Sequence, residues 1–398
     1  MIPEEWEVAS ISSLLVAPIQ NGLFNEPSRK GRGCKLINVI DLYGSFPVET
    51  TGLERFAANK DELSRFAVRN GDMFFTRSSL TADGIAMCNV YEGDGEDPIV
   101  FDCHIIRVRP NTTRVEPLFL ARSCGSRAAR RYLVVNAKTT TMTTIDQSVI
   151  ARLTVAVPPL PEQRAIADTL SDVDALLGAL DRLIAKKRDI KQAAIQQLLT
   201  GQTRLPGFDG EWGVKRFGEV ACPRRDRVDP RCSGVQDFCL ELEHIASESG
   251  ELLGSTSTGD QSSLKSVFRT GDVLFGKLRA YLRKYWLATR AGVCSTEIWV
   301  LTPKDQVITT AFLFQLIKSD EFIEAASNSY GTHMPRSDWS IVKNYEFKLP
   351  PLTEQIAIAK VLGDMDAELT ALTQRRTKTR ALKQAMMQEL LTGRTRLV

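Results

Sequence analysis

The side chains best equipped to act on another molecule are basic and hydroxylic, and they come in groups. Arg127, Arg130 and Arg131 form one cluster; Lys277, Arg279, Arg283 and Lys284 form another, interleaved with Tyr281, Tyr285 and Trp286. Ammonium and guanidinium groups attract phosphate, and a guanidinium can also grip a guanine edge through two hydrogen bonds. Arg77 and Lys277 each follow a short apolar run, Met73-Phe74-Phe75 and Val273-Leu274-Phe275, where the chain should re-emerge at a surface. Lys138, Thr139 and Thr140 open a Thr-rich run ending at Thr144, and its counterpart from Tyr330 to Arg336 carries Thr332, His333 and Arg336. Hydroxyl, amide and guanidinium groups on loops are the usual readers of base edges, so all of these are candidate nucleic-acid contacts; for any single one the plain alternative is a solvated polar face.

Catalytic sets, by contrast, do not assemble. Asp172 and Asp174, repeated as Asp364 and Asp366, point about 200° apart on a helix and cannot face one substrate, so a solvated or partner-contacting face is expected. Asp338 with Glu346-Phe347-Lys348 has the order of a Mg²⁺ nuclease set, but its first-half counterparts are Asp146, Thr154 and Ala156, and a short strand running into Leu349-Pro350 is the better reading. Gly31-Arg32-Gly33 and Ser262 to Lys265 lack the rest of any phosphate-loop or serine-hydrolase motif and read as loops. His104 beside Cys103 reads as a core residue, because no second ligand pair completes a metal site. No Asn-Pro-Pro-aromatic or Asp-Pro-Pro-aromatic tetrapeptide of an amino-methyltransferase occurs. The expectation is a non-enzyme with no catalytic residues and no metal.

Whatever holds these groups must follow a duplicated plan. Residues 158–205 and 350–397 align without a gap at an offset of 192, PPLPEQRAIADTL…KQAAIQQLLTGQTRL against PPLTEQIAIAKVL…KQAMMQELLTGRTRL, and about 28 of the 48 positions are identical. Ahead of each copy lies a block, 1–157 and 206–349, and the two blocks share only landmarks: Glu5-Trp6-x-Val8 against Glu211-Trp212-x-Val214, and Arg69-x-Gly71-Asp72 against Arg269-x-Gly271-Asp272. Apolar runs such as Met73-Phe74-Phe75, Ile105-Ile106, Leu133-Val134-Val135, Val273-Leu274-Phe275 and Ile298 to Leu301, set between Gly, Asp, Asn and Pro turns, predict two similar mixed α/β domains in an α+β chain.

The repeats have helical texture. Ile166, Leu170, Val173, Leu177, Leu180 and Ile184 are spaced four and three apart, as are Ile358, Leu362, Met365, Leu369 and Leu372, which is a coiled-coil seam. A polar interval from Thr373 to Arg380 separates the second seam from Leu382, Met386 and Leu390. Pro161, Glu162 and Glu354 suit helix starts, and Gly201 and Gly393 suit left-handed caps. About 38 residues at ~1.5 Å each make a rod of roughly 57 Å. Packing the rods antiparallel predicts a pseudo-two-fold molecule whose blocks sit at opposite ends, an arrangement suited to two separated sites on duplex DNA.

Bulk properties neither add to nor oppose this. Hydrophobic content of 43% and 25% charge fit a globular protein, while a net charge of +3 is too small to argue for nucleic acid by itself. No apolar stretch is long enough for a bilayer, so a cytoplasmic protein with no membrane partner is expected. Eight cysteines without a CxxC pair suit reduced thiols, with neither zinc nor disulfides.

The two PPLxEQ…LLTGxxRL segments, in duplicate and each following a globular block, resemble the specificity subunits of type I restriction-modification systems along the whole chain. The resemblance implies target recognition domains at 1–157 and 206–349, each reading half of a bipartite site on double-stranded DNA. It further implies conserved-type helical regions at 158–205 and 350–398 that form an antiparallel coiled coil, set the spacing and dock two modification subunits, with restriction subunits in the full complex. S-adenosylmethionine, ATP and Mg²⁺ would belong to those partners, and no cofactor to this chain. The nearest alternatives are a subunit serving a fused cutting-and-methylating partner, or a coiled-coil adaptor that binds no DNA.

Overall fold

The computed structural model describes residues 3–93, 97–259, 261–304, 306–328 and 335–397. They form two compact units, Met1–Asp181 with Gln374–Val398, and Arg182–Thr373. Each unit therefore holds one globular block and one half of each long helix.

The blocks share a plan. In the first, a four-stranded antiparallel sheet has the order Gln20–Asn21, Ile105–Val108, Met73–Thr76, Cys88–Val90; in the second the order is Ala221–Pro223, Ile298–Pro303, Val273–Gly276, Tyr285–Leu287. Both place the first, fourth, second and third strands side by side. The central strands are wholly buried, as their unbroken apolar runs demand. Each is fed by a glycine in the left-handed region, Gly71 at φ 82° and Gly271 at φ 88°. The aspartate after each glycine is buried, accepts the backbone N–H of Arg69 or Arg269, and is held through two bonds by an arginine, Arg109 in one block and Arg224 in the other. A second sheet containing one parallel pair completes each block. The first strand of each block pairs with the last, Glu7–Ser10 with Thr154–Val157 and Gly213–Arg216 with Glu346–Leu349, which brings the block's entrance beside the start of the following helix.

Ile105–Val108 and Ile298–Pro303 are strands as predicted, but Leu133-Val134-Val135 is not. It ends the helix Arg127–Val135, whose Ser126 side chain caps the amide of Ala129; a three-residue apolar run carries no period, and the capped Arg-Ala-Ala-Arg-Arg segment before it decides the matter. Gly31-Arg32-Gly33, expected as a loop, forms the irregular part of the strand Lys30–Ile37, where Gly33 at φ 92° lies against the Phe56 carbonyl.

The long helices run Leu160–Thr200 and Leu352–Leu390, and Gly201 and Gly393 cap them at φ 73° and 70°. The seam residues Ile166, Leu170, Leu177, Leu180, Ile184, Ile358 and Leu362 are buried, and Val173, Met365, Leu369 and Leu372 half-buried. The polar interval does not interrupt the second seam. Its four-three spacing continues through Arg376, Thr379 and Lys383 to Met386 and Leu390, all at least partly buried, whereas Leu382 falls one position off and is 57% exposed. Likewise Lys187 and Lys191 extend the first seam. These cations meet carboxylates of the antiparallel helix: Asp181–Arg376 (3.0 Å) and Asp174–Lys383 (2.5 Å) in the first unit, Lys187–Glu368 (2.8 Å) and Lys191–Asp366 in the second. In these pairs the acidic members precede the basic ones along each helix, as antiparallel pairing of two like sequences requires.

Asp174 and Asp366 also take a buried cation from their own block, Arg122 and Lys318 respectively, each 4% exposed. The Arg122 guanidinium lies 3.9 Å from the Phe46 ring centroid, and the Lys318 ammonium 3.8 Å from that of Phe314. Asp172 remains exposed, so the two aspartates do diverge as helix geometry requires, but Asp174 and Asp366 are clamps rather than members of a solvated face.

The helix ends close on each other in the same duplicated way. Glu162 accepts Trp6 Nε1–H (3.1 Å) and two bonds from Arg396 (2.5 and 2.9 Å); Glu354 accepts Trp212 Nε1–H (2.9 Å) and two from Arg204 (2.6 and 2.7 Å). The Glu of one repeat is thus satisfied by the Arg of the other. The adjacent Gln163 and Gln355, both fully buried, bond Glu116 N, Arg114 O and Pro158 O in one case and Thr309 N, Val307 O and Pro350 O in the other. Among the described residues no helix is long and apolar enough to cross a membrane.

Candidate nucleic-acid interface

Both central strands end at the same kind of place. In the first block, exposed Arg77 follows Met73–Thr76; its amide donates to the His104 carbonyl (2.7 Å), and its carbonyl accepts from Ile145 N (3.1 Å). In the second, Lys277 follows Val273–Gly276 and makes the same two bonds, to the Glu297 carbonyl (2.9 Å) and from Ser337 N (2.8 Å). The chain then pairs with the returning loop, Ser78–Ser79 with Thr143–Thr144 in one case and Leu278 with Arg336 in the other. The Thr-rich run is therefore a small β-hairpin, Lys138–Thr139 against Thr143–Thr144, with Thr140 N bonded to Met142 O at its tip (3.1 Å).

Around the first strand exit the structure gathers Arg77, Lys138, Thr139 and Thr140, all exposed; among the described residues the Arg77 side chain bonds only the Cys103 carbonyl (3.3 Å), and Lys138 forms a solvated pair with Asp146 (2.9 Å). On the neighbouring helix Arg127 and Arg131 are exposed, and their side chains have no bonded partner among the described residues. Arg130, between them, is different. Its guanidinium bonds the carbonyls of Asp83, Ile85 and Ala86 (2.7–2.8 Å), and burial lowers its pKa from the ordinary arginine value. It ties the helix to the turn at Ala82–Gly84 instead of offering charge to a ligand.

Around the second exit stand Lys277, Arg279, Tyr281 and Arg336. Lys277 and Arg279 have no side-chain partner among the described residues, Tyr281 is 54% exposed, and Arg336 bonds Glu297 (2.9 Å). Arg283 and Lys284 are corrected in the same way as Arg130: Arg283 bonds the Lys318 carbonyl (3.2 Å) and pairs with Asp320, while the Lys284 ammonium bonds the Leu242 carbonyl (2.6 Å). A charged group satisfied by main-chain carbonyls holds its own loop and has little left for a phosphate. Thr332 and His333 lie outside the described residues.

Sequence reasoning missed part of this surface. His104 is exposed, not a core residue, and its Nδ1 lies 2.9 Å from Ser78 Oγ. With Ser78, Ser79, Leu80 and Met142 it lines an open groove of about 430 Å³ beside the hairpin, where Leu80 is 86% exposed. Only the recurrence of a surface exit after each Gly-Asp strand could have pointed there. A larger groove of about 610 Å³ along Leu15–Ile19 and Gln147–Ala151 contains no charged side chain and does not suit a polyanion.

Catalytic and metal chemistry finds no better ground. Asp146 precedes a short helix without capping it and pairs with Lys138, Asp338 caps another helix through Ser340 N, and Glu346 pairs with Arg216 on a strand (3.1 Å). Asp102, Cys103 and His104 bring their donor atoms within 4.8 Å of one another, but Asp102 Oδ1 already accepts the His104 amide (2.7 Å), Nδ1 lies against Ser78, and burial raises the Cys103 thiol pKa, away from the thiolate that a metal requires.

Comparison with known proteins agrees with this geometry. The family model of the type I restriction modification DNA specificity domain matches twice, at residues 66–187 and 261–381, together well over half of the chain. The putative type I restriction enzyme MjaX specificity subunit of Methanocaldococcus jannaschii is 23% identical over 422 aligned residues, covering 100% of this chain and 95% of its own. The type I restriction enzyme EcoDI specificity subunit of Escherichia coli is 25% identical over 259 residues, 56% of this chain and 57% of its own. Among solved structures, the S subunit of a type I restriction-modification system from M. genitalium superposes with a TM-score of 0.59 at 14% identity, over 98% of this chain and 96% of that one. A chain from a structural study of complex assembly and conformational transition in a type I system gives 0.60 at 18% identity, with 98% of both chains covered. With two strand exits of one topology and two matches to one domain model, the chain belongs to the type I restriction-modification specificity family and is a specificity subunit with two DNA specificity domains.

Proposed function

We propose that each block reads one half of a bipartite DNA site from the face where its central strand ends, and that this chain contributes recognition and assembly but no catalysis. The observation that carries the reading is the pair of strand exits. They share one backbone plan and differ in side chains, hydroxyls with Arg77 in one and Lys277, Arg279 and Tyr281 in the other, as two readers of different half-sites should. Cations with no ion-pair partner among the described residues fix register on the phosphates, and hydroxyl and aromatic groups choose bases at about 1–3 kcal/mol per good contact.

The helices then act as ruler and dock. Two of their contacts, Asp174–Lys383 and Glu162–Arg396, recur at the 192-residue offset as Asp366–Lys191 and Glu354–Arg204, which supports two equivalent seats for modification subunits. In this reading S-adenosylmethionine and methyl transfer to adenine belong to those subunits, and ATP- and Mg²⁺-dependent cleavage to restriction subunits of the full complex, within the cytoplasm.

The test is to map N6-methyladenine in a host expressing the chain with its modification partner. A gapped two-part motif absent from the control host is expected, and exchanging residues 1–157 for another block should change one part only. No new methylation, or a change in both parts, would sink the proposal.

A further inference from the structure

The connection that follows the second strand exit is held more firmly than a surface turn requires. Arg279 (φ 55°, ψ 59°) and Arg283 (φ 51°, ψ 48°) are both left-handed, a strained state for residues with a Cβ, and they bracket the single turn Ala280–Leu282. Bonds from several separate segments impose it. Arg279 N donates to Pro335 O (2.9 Å), Glu248 N to Arg283 O (2.9 Å), the Arg283 guanidinium to Lys318 O, and the Lys284 ammonium to Leu242 O. Ala280 is buried beneath the turn, while Tyr281 at its crest is 54% exposed and its hydroxyl has no partner among the described residues. The other tyrosine of this hairpin, Tyr285, is buried and its hydroxyl bonds the Glu248 carbonyl. The side chains of Lys277 and Arg279, which have no partner among the described residues, come just before the crest in the chain.

We propose that Tyr281 is a specificity-determining residue of the second DNA domain: its ring enters a groove against the bases while Lys277 and Arg279 take the flanking phosphates. This rests on the DNA-reading function proposed above. Strain imposed from several sides at an exposed turn fixes the backbone from which one side chain projects, and that side chain is an aromatic with two cations nearby in the chain that have no partner among the described residues. The matching connection of the first block, between Thr76 and Cys88, keeps a left-handed residue at Ala86 (φ 49°) but presents Leu80 and two serines in place of an aromatic ring. The two half-sites are therefore read by different chemistry from one scaffold.

The experiment uses the full complex of this chain with its modification partner, comparing wild type, Tyr281→Ala, Tyr281→Phe and Lys277→Gln by methylation mapping and by binding to a duplex carrying the mapped motif. Tyr281→Ala should weaken binding about 10- to 100-fold and relax one half of the motif while leaving the other intact. Tyr281→Phe should retain most of the affinity. Lys277→Gln should leave the motif unchanged and reduce the slope of log affinity against log salt by about one. An unchanged motif and affinity in Tyr281→Ala overturns the proposal, as does equal loss at both halves, which would mean the residue acts through the fold. Failure of the wild-type complex to give any gapped motif would instead overturn the DNA-reading function itself.

Discussion

Asp366 offers a direct measure of how firmly the second block is tied to the helices. Its carboxylate faces the buried Lys318 ammonium at 2.8 Å and also pairs with Lys191. Asp366→Asn breaks both ion pairs at nearly constant volume and leaves Lys318 buried without a counter-charge. Breaking such a pair costs about 3–5 kcal/mol, a large part of the ~5–15 kcal/mol that holds a domain folded. With a urea slope of about 2 kcal/mol/M, the midpoint should fall by roughly 1.5–2.5 M. Tryptophan fluorescence reports on this unit, which contains Trp212, Trp286, Trp299 and Trp339. Burial already pushes the Lys318 pKa down to about 8 from 10.5 in spite of Asp366. Between those values the unfolded chain holds more protons at this position than the folded one, so this group's contribution to stability rises with pH. Above pH 8 the wild-type lysine also loses its charge, and the gap between variant and wild type should narrow from pH 7 to pH 9.5. Replacing the lysine as well, in an Asp366→Asn, Lys318→Met double variant, should recover much of the loss. A deficit below about 1 kcal/mol, or one of equal size at both pH values, would refute the assignment of a buried Lys318–Asp366 pair.

Three further outcomes follow from the same contacts. Asp174→Asn should cost a similar ~3–5 kcal/mol in the first unit, read by Trp6, but with no relief at pH 9.5, because arginine keeps its proton where lysine can release it. Glu162→Gln should weaken the two-bond Arg396 contact by about 2 kcal/mol and raise hydrogen exchange in the first turns of the helix at Leu160; unchanged exchange there would mean the closure carries no stability. Deleting one heptad from each helix, residues 179–185 and 372–378, preserves the seam and shortens the ruler by about 10 Å, so the gap in the methylated motif should shrink by about three base pairs; an unchanged gap would remove the helices as a ruler.

Sequence reading reached the elements whose signal is periodic or duplicated. The seam from Ile166 to Leu180, the caps at Gly201 and Gly393, and the Gly-Asp turns ahead of the central strands were all legible, because each is a local rule stated by neighbouring residues. It failed where an outcome depends on distant partners. Arg130, Arg283 and Lys284 look the same in sequence as Arg127, Arg131 and Lys277; what separates them is whether a loop from elsewhere presents a bare carbonyl within reach. The polar interval in the second helix looked like a break because the carboxylates that complete it, Asp181 and Asp174, lie on the other helix. The lack of a second ligand pair argues for His104 in the core, but the reversal at Asp102 turns it outward.

The division of texture along the chain has a physical cause in these contacts. Within the repeats, Glu162 needs Arg396 and Glu354 needs Arg204, while Asp174 needs Lys383 and Asp366 needs Lys191. A change in one copy therefore leaves a buried or half-buried charge unpaired in the other, at a cost of several kcal/mol. The polar demands on the helices that recur in both blocks are few: one tryptophan for the helix-start glutamate, backbone groups for Gln163 or Gln355, and one buried cation for the aspartate. Even that cation differs, Arg122 in one block and Lys318 in the other, which shows how little the clamp asks of the rest of the block. Side chains at the strand exits enter none of these bonds. They can differ completely between the blocks, as Arg77 with its serines and Lys277 with Tyr281 do, without disturbing the helices, so under the proposed reading a change of DNA specificity there comes at little expense to assembly.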